Sequence, residues 1–188
     1  MIERLTPETF AAALPGLADL LVDAVRDGAS VGFLAGFDHE QATAWWRERA
    51  GAVADGSLAV WTAAGRGGLA GTVSLAYADK PNARHRAEVV KLAVHRDHRG
   101  RGLGRRLLAA AEQAAAVSGI TLLLLDTETG SAADHLYRSA GWQQYGLVPG
   151  YAAGPAGELR ACSFYYKPVS LVPGAAPADG GVCPAPSS

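Results

Sequence analysis

The sequence predicts an α/β fold, with a mixed, mostly antiparallel central sheet and helices on both faces. Three observations support this prediction. Short apolar runs of strand length alternate with longer segments whose apolar residues recur at helical spacing. Three of the strand-like runs follow one another closely and are joined by short turns, as in an antiparallel meander. One segment in the middle of the chain passes from a strand through a glycine-rich turn directly into a helix.

The composition fits a single domain in a reducing compartment. The 188 residues are 49% hydrophobic and carry a net charge of −1, so we expect no nucleic acid and no membrane as a partner. No apolar run reaches the length of a membrane span, and the first residues lack a signal-peptide pattern. The two cysteines, Cys162 and Cys183, suggest neither a disulfide framework nor a metal site. We therefore expect a cytoplasmic protein. The sequence leaves open whether it forms a homodimer.

The N-terminal part of the chain is predicted to form a short strand followed by a helix. Residues 2–5 suit the strand, Thr6 suits the N-cap of the helix, and Pro7 suits its first position. Pro15 is expected to break or restart the helix, because a proline lacks the N–H that an inner helical position uses. The apolar stripe then continues to about Arg26.

The segment 28–37, GASVGFLAGF, separates this helix from the next one. It is apolar and glycine-rich and has no clear periodicity. We interpret it as a wall of the substrate pocket, since loops often carry binding groups, or as a packed connector. Asp38 and Gln41 then form a capping-box pattern, which predicts a helix that ends at Asp55-Gly56.

The rest of the chain alternates between strands and helices. The meander is predicted over residues 57–64, 69–78 and 85–94. After a long helix come a buried strand, a short helix and two further strands, over residues 121–126, 131–140, 142–148 and 158–167. The composition then shifts to Pro, Gly and Ala, which predicts a domain over residues 1–168 and a disordered tail over residues 169–188.

The segment between residues 87 and 110 carries the most specific pattern. Its turn, Arg99-Gly100-Arg101-Gly102-Leu103-Gly104, has glycines at alternate positions, which let the backbone approach a ligand closely. The turn leads into the start of a helix, where unpaired N–H groups and the helix dipole favour an anion. Cationic side chains surround it: Arg96, Arg99, Arg101, Arg105 and Arg106. This pattern predicts a pyrophosphate-binding site.

Two other nucleotide-binding motifs fit this segment less well. A P-loop needs Gly-Lys-Ser/Thr at its end, and Arg105-Arg106 stands there instead. The dinucleotide pattern Gly-x-Gly-x-x-Gly can start at Gly100, but Arg105 occupies the position of its third glycine. Asp126 lies roughly where that motif places an acidic ribose ligand, so a nucleotide-dependent oxidoreductase stays as an alternative.

The pattern Arg-x-x-Gly-x-Gly, preceded by a strand that ends in LAV, resembles the acetyl-coenzyme A (acetyl-CoA) motif of the GNAT superfamily of N-acetyltransferases. The predicted order of elements matches that family over nearly the whole chain. The resemblance implies the GNAT fold, acetyl-CoA as co-substrate, and a central strand that splays from its neighbour and leaves backbone groups free for the thioester. It also implies a set of residues that bind acetyl-CoA: Leu92, Ala93, Val94, Arg99, Gly100, Arg101, Gly102, Leu103, Gly104 and Arg105.

Tyr137 is a candidate acid. It lies in the segment HLYRSAGW, which resembles the family's Tyr-x-x-x-Gly-Phe segment with Trp142 in the aromatic position. Carried over, Tyr137 protonates the coenzyme A sulfur as it leaves, and a phenol suits this step because its reference pKa of about 10 lies near that of an alkyl thiol. The alternative is a helix tyrosine whose ring packs in the core.

Glu88 and Asp126 are candidates for taking the proton from the acceptor amine. Glu88 opens a strand otherwise filled by Val, Leu and Ala, where carboxylates are uncommon, and Asp126 closes the next strand. The alternatives are an ion pair of Glu88 with Lys91 or an arginine, and a loop-stabilising hydrogen bond for Asp126. Neither cysteine adjoins these motifs, so direct transfer in a ternary complex is expected.

A closer resemblance concerns the substrate. The segments HRAEVVKLAV and LLLLDTETGSAADHLY, followed by LVPGYAAGPAGEL, resemble the tabtoxin resistance protein group of acetyltransferases. This resemblance makes Glu88, Asp126 and Tyr137 the catalytic set and implies a small amine-bearing substrate, such as an amino-acid-like antibiotic or toxin. Aromatic candidates for the substrate pocket are Phe33, Trp46 and Tyr151. An acyl-CoA sensor without turnover and an acetyltransferase of protein or peptide amines stay as alternatives.

Overall fold

The computed structural model describes residues 1–171, which form a seven-stranded sheet with helices on both faces. The strands are β1 (Ile2–Arg4), β2 (Leu58–Gly65), β3 (Gly68–Tyr77), β4 (Arg86–Val94), β5 (Leu122–Glu128), β6 (Gln143–Ala153) and β7 (Leu159–Pro168). The helices are α1 (Pro7–Arg26), α2 (His39–Arg47), α3 (Ala50–Ala54), α4 (Leu103–Val117) and α5 (Ala132–Ser139). The predicted fold class is confirmed.

The sheet opens between its two central strands. The strand order is β1-β2-β3-β4-β5-β7-β6, and all neighbours are antiparallel except β4 and β5, which run parallel. These two strands pair only through residues 86–88 and 122–124. Beyond Glu88 and Leu124, no ladder joins them in the described part of the chain. The strands therefore separate toward their C-terminal ends, and backbone groups of β4 are left without a ladder partner.

Two apolar cores hold the sheet between its helices. On one face, Leu107 and Leu108 of α4 pack with Leu123 and Leu125 of β5. On the other face, α1, α2 and α3 pack on β2 through a second cluster: Phe10, Leu17, Leu21, Trp46, Val53 and Val60. Neighbouring strand residues point to opposite faces, so one strand can serve both cores.

Helix α1 differs from the prediction at its middle. Thr6 caps the helix by accepting a hydrogen bond from the Thr9 N–H at 3.3 Å, and Pro7 takes the first position as predicted. The prediction that Pro15 breaks the helix is wrong, because α1 continues through it. Pro15 and Ala11 are both exposed. The Ala11 carbonyl, which loses its N–H partner to the proline ring, is therefore on the solvent side.

The helix predicted to run from Asp38 to Asp55 is two helices. The capping box of Asp38 and Gln41 is confirmed, but α2 ends at Arg47 and α3 starts at Ala50. The Arg49 guanidinium donates to the Trp45 carbonyl, which is the acceptor that the Arg49 N–H would use in a continuous helix. The Arg49 N–H bonds the Trp46 carbonyl instead, at 2.9 Å, and the helix is interrupted.

The strand ends match the prediction closely except in β5 and β6. β5 continues to Glu128 instead of Asp126, and β6 continues to Ala153 instead of Val148. Both extensions pair with β7, and a register shift in β6 after Val148 accommodates the Pro149-Gly150 step. These long-range pairs are not visible in the local pattern.

The predicted tail, residues 169–188, and Cys183 within it lie outside the described residues except for residues 169–171. The Val169 N–H donates to the Thr121 carbonyl at 2.9 Å. The disordered tail thus stays a prediction. Among residues 1–171, no helix is long and apolar enough to cross a lipid bilayer.

Candidate active site

A cleft of about 820 Å³ lies where β4 and β5 separate, and its volume is that of a cofactor or substrate site. One end is formed by the glycine-rich turn and the other by the loop after α1 and the β6–β7 pair. Its lining contains residues 28–32, 89–94, 99–100, 102–105, 126–128, 131–133, 136–137, 151–152 and 160–162, with Ala24 and Asp27 of α1.

The glycine-rich turn has the backbone geometry of an anion site. Gly100 and Gly102 have φ angles of +71° and +73°, a region that a side chain disfavours, and open space lies where a Cβ would project from either. Gly102 is the N-cap of α4, so the N–H groups of Leu103, Gly104 and Arg105 lie in a first helical turn, which has no intrahelical acceptor. These features fit the pyrophosphate of acetyl-CoA.

Two of the arginines near the turn hold it to α1. Arg96 forms an ion pair with the buried Asp23, and its N–H bonds the same carboxylate at 3.1 Å. Arg99 forms an ion pair with Asp27 and donates to the Val94 carbonyl at 2.9 Å. The hydrogen bond from Arg99 lowers the pKa of Asp27 despite some burial. These two side chains therefore fix the turn, and the binding of acetyl-CoA by Arg99, which lines the cleft, stays a prediction.

Arg101 and Arg105 differ in position. Arg105 lines the cleft and bonds the Ser139 hydroxyl and carbonyl at the end of α5, at 2.6 and 3.2 Å. Arg101 lies outside the cleft lining and borders a smaller depression of about 340 Å³ together with Arg106 and His98. The turn thus directs the Arg101 side chain away from the cleft, and the place of Arg101 in the set that binds acetyl-CoA, which its backbone N–H could still serve, stays a prediction.

Tyr137 reaches the cleft from α5. Its side chain is only 5% exposed, its ring packs near Trp142 and Tyr165, and it lines the cleft wall. Its hydroxyl has no hydrogen-bond partner among the described residues. Burial, and secondly the Asp126 carboxylate, raise the pKa of Tyr137. The phenol therefore keeps its proton at neutral pH and is available as a donor.

Helix α5 is held in place by Asp134, which is 2% exposed. Its carboxylate accepts a hydrogen bond from the Gly130 N–H at 2.9 Å and another from the Tyr165 hydroxyl. Burial acts to raise the pKa of Asp134, but these hydrogen bonds, together with Arg138, lower it overall. Because Tyr137 lies one turn further along α5, this anchor also sets the position of Tyr137.

The two candidate carboxylates lie on the same face of the sheet. Glu88 pairs with Leu124, and Asp126 follows two residues later, so period-two alternation puts both on one side. Asp126 lines the cleft, whereas Glu88 is exposed beside it and outside the lining. Partial desolvation, and secondly the Asp126 charge, raise the pKa of Glu88. No ion pair joins Glu88 to Lys91 within the described part of the chain, so the Lys91 half of that alternative is not realised.

Cys162 is a site residue that the sequence interpretation missed. It lies on β7 opposite Glu128 and lines the cleft, and its thiol donates to Asp126 Oδ2 at 3.3 Å and to the Thr127 carbonyl at 3.0 Å. Burial and the Asp126 carboxylate raise the pKa of Cys162 to about 12. The thiol is therefore neutral at physiological pH, which agrees with direct transfer and opposes a covalent cysteine intermediate. Cys162 reaches the cleft because β7 pairs with β5, and no local sequence motif indicates this long-range pairing.

Lys91 is the second residue that sequence interpretation did not place in the site. It lines the cleft, and its ammonium donates to the Val31 carbonyl at 2.9 Å. Its Nζ lies 5.3 Å from the centre of the Phe33 ring and 5.0 Å from that of Trp45. Burial, and secondly the Arg49 guanidinium, lower the pKa of Lys91, while Asp126 and Glu88 act in the opposite direction.

The three aromatic candidates for the substrate pocket have different positions. Tyr151 lines the cleft and packs edge-on against Phe164. Phe33 lies in the loop after α1, next to the lining residue Gly32, and stacks on Phe37. The prediction that Trp46 lines the pocket is wrong. Its side chain is fully buried against Phe10, and its indole N–H donates to the Leu17 carbonyl at 3.1 Å, so it belongs to the core.

Known proteins share both the sequence pattern and the fold. The family model described as "Acetyltransferase (GNAT) family" matches residues 22–142. A ribosomal-protein-alanine N-acetyltransferase from Brucella melitensis is 27% identical, with a TM-score of 0.69 over 90% of this chain and 99% of that one. A GNAT superfamily phosphinothricin acetyltransferase from Sinorhizobium meliloti, solved with acetyl-CoA, is 16% identical, with a TM-score of 0.74 over 95% and 96% of the two chains. The second similarity is one of fold alone.

Proposed function

The chain belongs to the acetyltransferase (GNAT) family, and from this premise we propose that it acetylates the amine of a small molecule. As a member, it is an acetyl-CoA-dependent N-acetyltransferase; the small-molecule acceptor is the proposal. One observation carries the acetyl transfer: the glycine-rich turn, the unpaired part of β4, Asp126 and Tyr137 line a single cleft. Groups for binding the co-substrate and groups for moving protons thus meet at one place.

The binding groups divide the cleft along its length. Acetyl-CoA, when bound, supplies an acetyl group activated as a thioester. The first-turn N–H groups of α4 hold the pyrophosphate, and the turn itself is fixed by the ion pairs of Arg96 and Arg99 with α1. The β4 backbone at Leu92, Ala93 and Val94 lies beyond the last β4–β5 pair and lines the cleft. Ala93 pairs with Thr72 of β3, so only the N–H groups of this stretch that point away from β3 are donors for the carbonyl oxygen, on which negative charge develops.

Three side chains handle protons. Glu88 or Asp126 accepts the proton that the acceptor ammonium must lose, directly or through a water. The raised pKa of Glu88 makes its carboxylate more basic than that of an ordinary glutamate. Tyr137 donates its phenol proton to the departing sulfur. Its raised pKa keeps the phenol protonated, but it also moves that pKa away from the value of an alkyl thiol, so the phenol is a weaker acid here than an ordinary tyrosine. Proton removal and proton supply thus come from different strands and helices around one cleft.

A small acceptor is supported by the closed end of the cleft. The Ala35 N–H in the loop after α1 donates to the Pro155 carbonyl in the β6–β7 loop at 2.7 Å. Arg160 of β7 also donates to the Gly28 carbonyl at 3.4 Å, so two contacts join the loop after α1 to the β6–β7 pair and its loop. Such a bridge leaves less room for a polypeptide than an open groove. With the resemblance to the tabtoxin resistance group, this supports an amino-acid-like antibiotic or toxin as the acceptor.

A second candidate function is acetylation of a protein N-terminus. The similarity to the Brucella melitensis enzyme, whose name specifies the alanine of a ribosomal protein, favours it. The bridge between Ala35 and Pro155 opposes it. A sensor that binds acetyl-CoA without turnover is a third possibility, against which the presence of Glu88, Asp126 and Tyr137 around one cleft counts.

The test is thiol release from acetyl-CoA with free amino acids, amine-bearing antibiotics and peptides with an N-terminal alanine. We expect release with a small amine, and a kcat lowered about 10²-fold or more in Tyr137→Phe, the usual contribution of a general acid. Tyr166→Phe is the matched control, because it removes a hydroxyl that bonds Gln143 outside the cleft. This variant is expected to keep the wild-type rate.

Each other outcome selects an alternative. Release only with peptides replaces the small-molecule acceptor by a protein N-terminus. Tight binding of acetyl-CoA without release for any acceptor supports the sensor. Equal rates for wild type and Tyr137→Phe remove Tyr137 from the mechanism.

A further inference from the structure

We propose that Lys91 binds a carboxylate of the acceptor, so that the enzyme selects molecules that carry an amine and a carboxylate together. The proposal rests on the proposed function and deepens it by naming the second group that the site recognises. Four observations lead to it. A bulge turns Lys91 into the cleft, and its ammonium has no anionic partner. Positive and negative charges lie on different sides of the cleft, and the arginines that line the cleft already bond other protein groups.

A β-bulge brings Lys91 to the cleft. Between β3 and β4 the pairs Ser74–Val90 and Thr72–Ala93 leave one extra residue on β4, and Lys91 takes a φ of +52° there. In a regular strand, alternation from the buried Val89 would put Lys91 on the α4 face. Instead its ammonium reaches the Val31 carbonyl in the loop after α1. A left-handed conformation is unfavourable for a lysine, and such strain clusters at functional sites.

The Lys91 ammonium has no anionic partner. It is partly buried, and among the described residues no carboxylate lies within ion-pair distance of Nζ. One of its three N–H groups bonds Val31, and the Phe33 and Trp45 rings lie at cation–π distance. A partly buried cation normally has a paired anion, because desolvation is costly without one. A carboxylate that arrives with the acceptor supplies this partner.

The charges around this end of the cleft are arranged as two poles. Lys91 forms a positive pole. Arg49 adds to it from beside the Trp45 ring, whose centre lies 3.3 Å from the guanidinium, although Arg49 itself pairs with the exposed Glu48 at 3.6 Å. Glu88 and Asp126 form a negative pole, which favours the charged form of Lys91 without forming an ion pair with its ammonium. A zwitterion that places its amine toward the negative pole and its carboxylate toward Lys91 complements both. An amine without an acidic group complements only one.

The other cations that line the cleft are already engaged. Arg99 pairs with Asp27, Arg105 bonds Ser139, and Arg160 pairs with Glu128 and Glu158. Arg99 and Arg105 also belong to the turn at the opposite, pyrophosphate end. Lys91 is thus the cation of the described cleft lining that has no carboxylate or hydroxyl partner of its own.

The experiment compares acids with amides. Initial rates are measured for a panel of L-α-amino acids and their carboxamides, which differ only in the negative charge, with wild type, Lys91→Met, Lys91→Arg and Lys80→Met. Lys91→Met keeps the length and apolar contacts of the stem, and Lys80→Met is the control at an exposed lysine outside the cleft. Wild type and Lys80→Met are expected to prefer the acid over its amide by roughly 10- to 100-fold in kcat/KM, the usual strength of a charged hydrogen bond.

In Lys91→Met this preference is expected to vanish through a higher KM for the acid, while the KM values for the amide and for acetyl-CoA stay unchanged. Lys91→Arg is expected to recover part of the preference. An equal loss for acid and amide would overturn the proposal and make Lys91 a clamp for the loop after α1. A wild type that acetylates amides and acids equally would also overturn it, yet leave the acetyltransferase intact. Absence of turnover with every amine in the earlier panel would refute the proposed function itself.

Discussion

At the scale of single residues, burial and the Asp126 carboxylate together set the acid–base properties of the site. Burial first, and Asp126 second, raise the pKa of Glu88, Tyr137 and Cys162, and Asp126 also accepts the Cys162 thiol hydrogen. It also acts on Lys91 in the opposite sense, because an anion favours the charged form of an amine. Burial and this negative charge together keep Tyr137 and Cys162 protonated and make Glu88 more basic.

The charge of Asp126 should be measurable through Glu88. Replacing Asp126 by Asn removes a like charge, so we expect the pKa of Glu88 to fall toward its ordinary value of 4.5. NMR titration of ¹³C-glutamate-labelled protein, with Glu88→Gln to assign the signal, measures this directly. If Glu88 is the base, activity rises as pH passes upward through its pKa, so the acidic limb of the rate profile should move to lower pH in the variant. A Glu88 signal that titrates identically in both proteins would show that the two carboxylates are independent.

Residue types within local motifs could be recognised from the sequence. Tyr137 and the glycines of the turn were identifiable because the helix start and the neighbouring letters carry the signal. Trp46 was misassigned because an amphipathic pattern does not say which of two adjacent tryptophans faces the core. Lys91 and Cys162 were out of reach, because a register shift and a long-range strand pair bring them to the cleft.

At the scale of elements, the turn before α4 combines backbone conformation with ligand binding. The side-chain ties of Arg96 and Arg99 fix its position, and its glycines fix its shape. The effect of these glycines on backbone conformation can be separated from their effect on ligand binding. Strain at a positive φ lowers stability anywhere in the chain, whereas a methyl group obstructs a ligand only at the binding surface.

Gly102→Ala tests this separation. We expect a stability loss of roughly 1–2 kcal/mol from the left-handed conformation and a KM for acetyl-CoA that rises about tenfold, or 1.4 kcal/mol in binding. Gly56→Ala is the matched control, since Gly56 has a φ of +80° and equally open space around a Cβ, but lies between α3 and β2. Urea unfolding and initial rates give both quantities. A higher KM in both variants would mean that stability, not contact, controls binding at the turn.

Element boundaries show what local pattern can and cannot encode. Caps at Thr6, Asp38 and Ser131 were readable, because capping bonds join residues within one turn. The interruption after Arg47 was not, and it coincides with a bond from the Arg49 side chain to the Trp45 carbonyl that no local pattern shows. The separation of β4 from β5 was predicted from the resemblance to a family, because periodicity alone does not indicate it.

At the scale of the whole molecule, β6 leaves an apolar edge uncovered. Within the described residues it pairs only with β7, and Tyr145, Leu147, Val148 and Tyr151 are all more than 40% exposed. The strand QQYGLVPGYAA has no charged residue, so a second copy of the same strand meets no charge repulsion. The homodimer that the sequence left open therefore stays a prediction, with β6 as its expected interface.

Sedimentation velocity tests the dimer. We expect a species of about twice the 19.4 kDa chain mass, which dissociates when Tyr145 and Leu147 are both replaced by Glu. Val117→Glu adds a charge at an equally exposed apolar residue of α4 and is expected to leave the dimer intact. A wild-type chain that sediments as a monomer over the micromolar range would contradict the prediction.

The neutral thiol of Cys162 has a practical consequence for enzyme assays. Reagents that detect released coenzyme A react with thiolates, and with a pKa of about 12 this side chain is ionised in only about one molecule in ten thousand at pH 8. It therefore adds little background to a colorimetric reading. The rate of Cys162 alkylation would instead report how often the β5–β7 ladder opens locally. A bound ligand that closes the cleft should lower this rate.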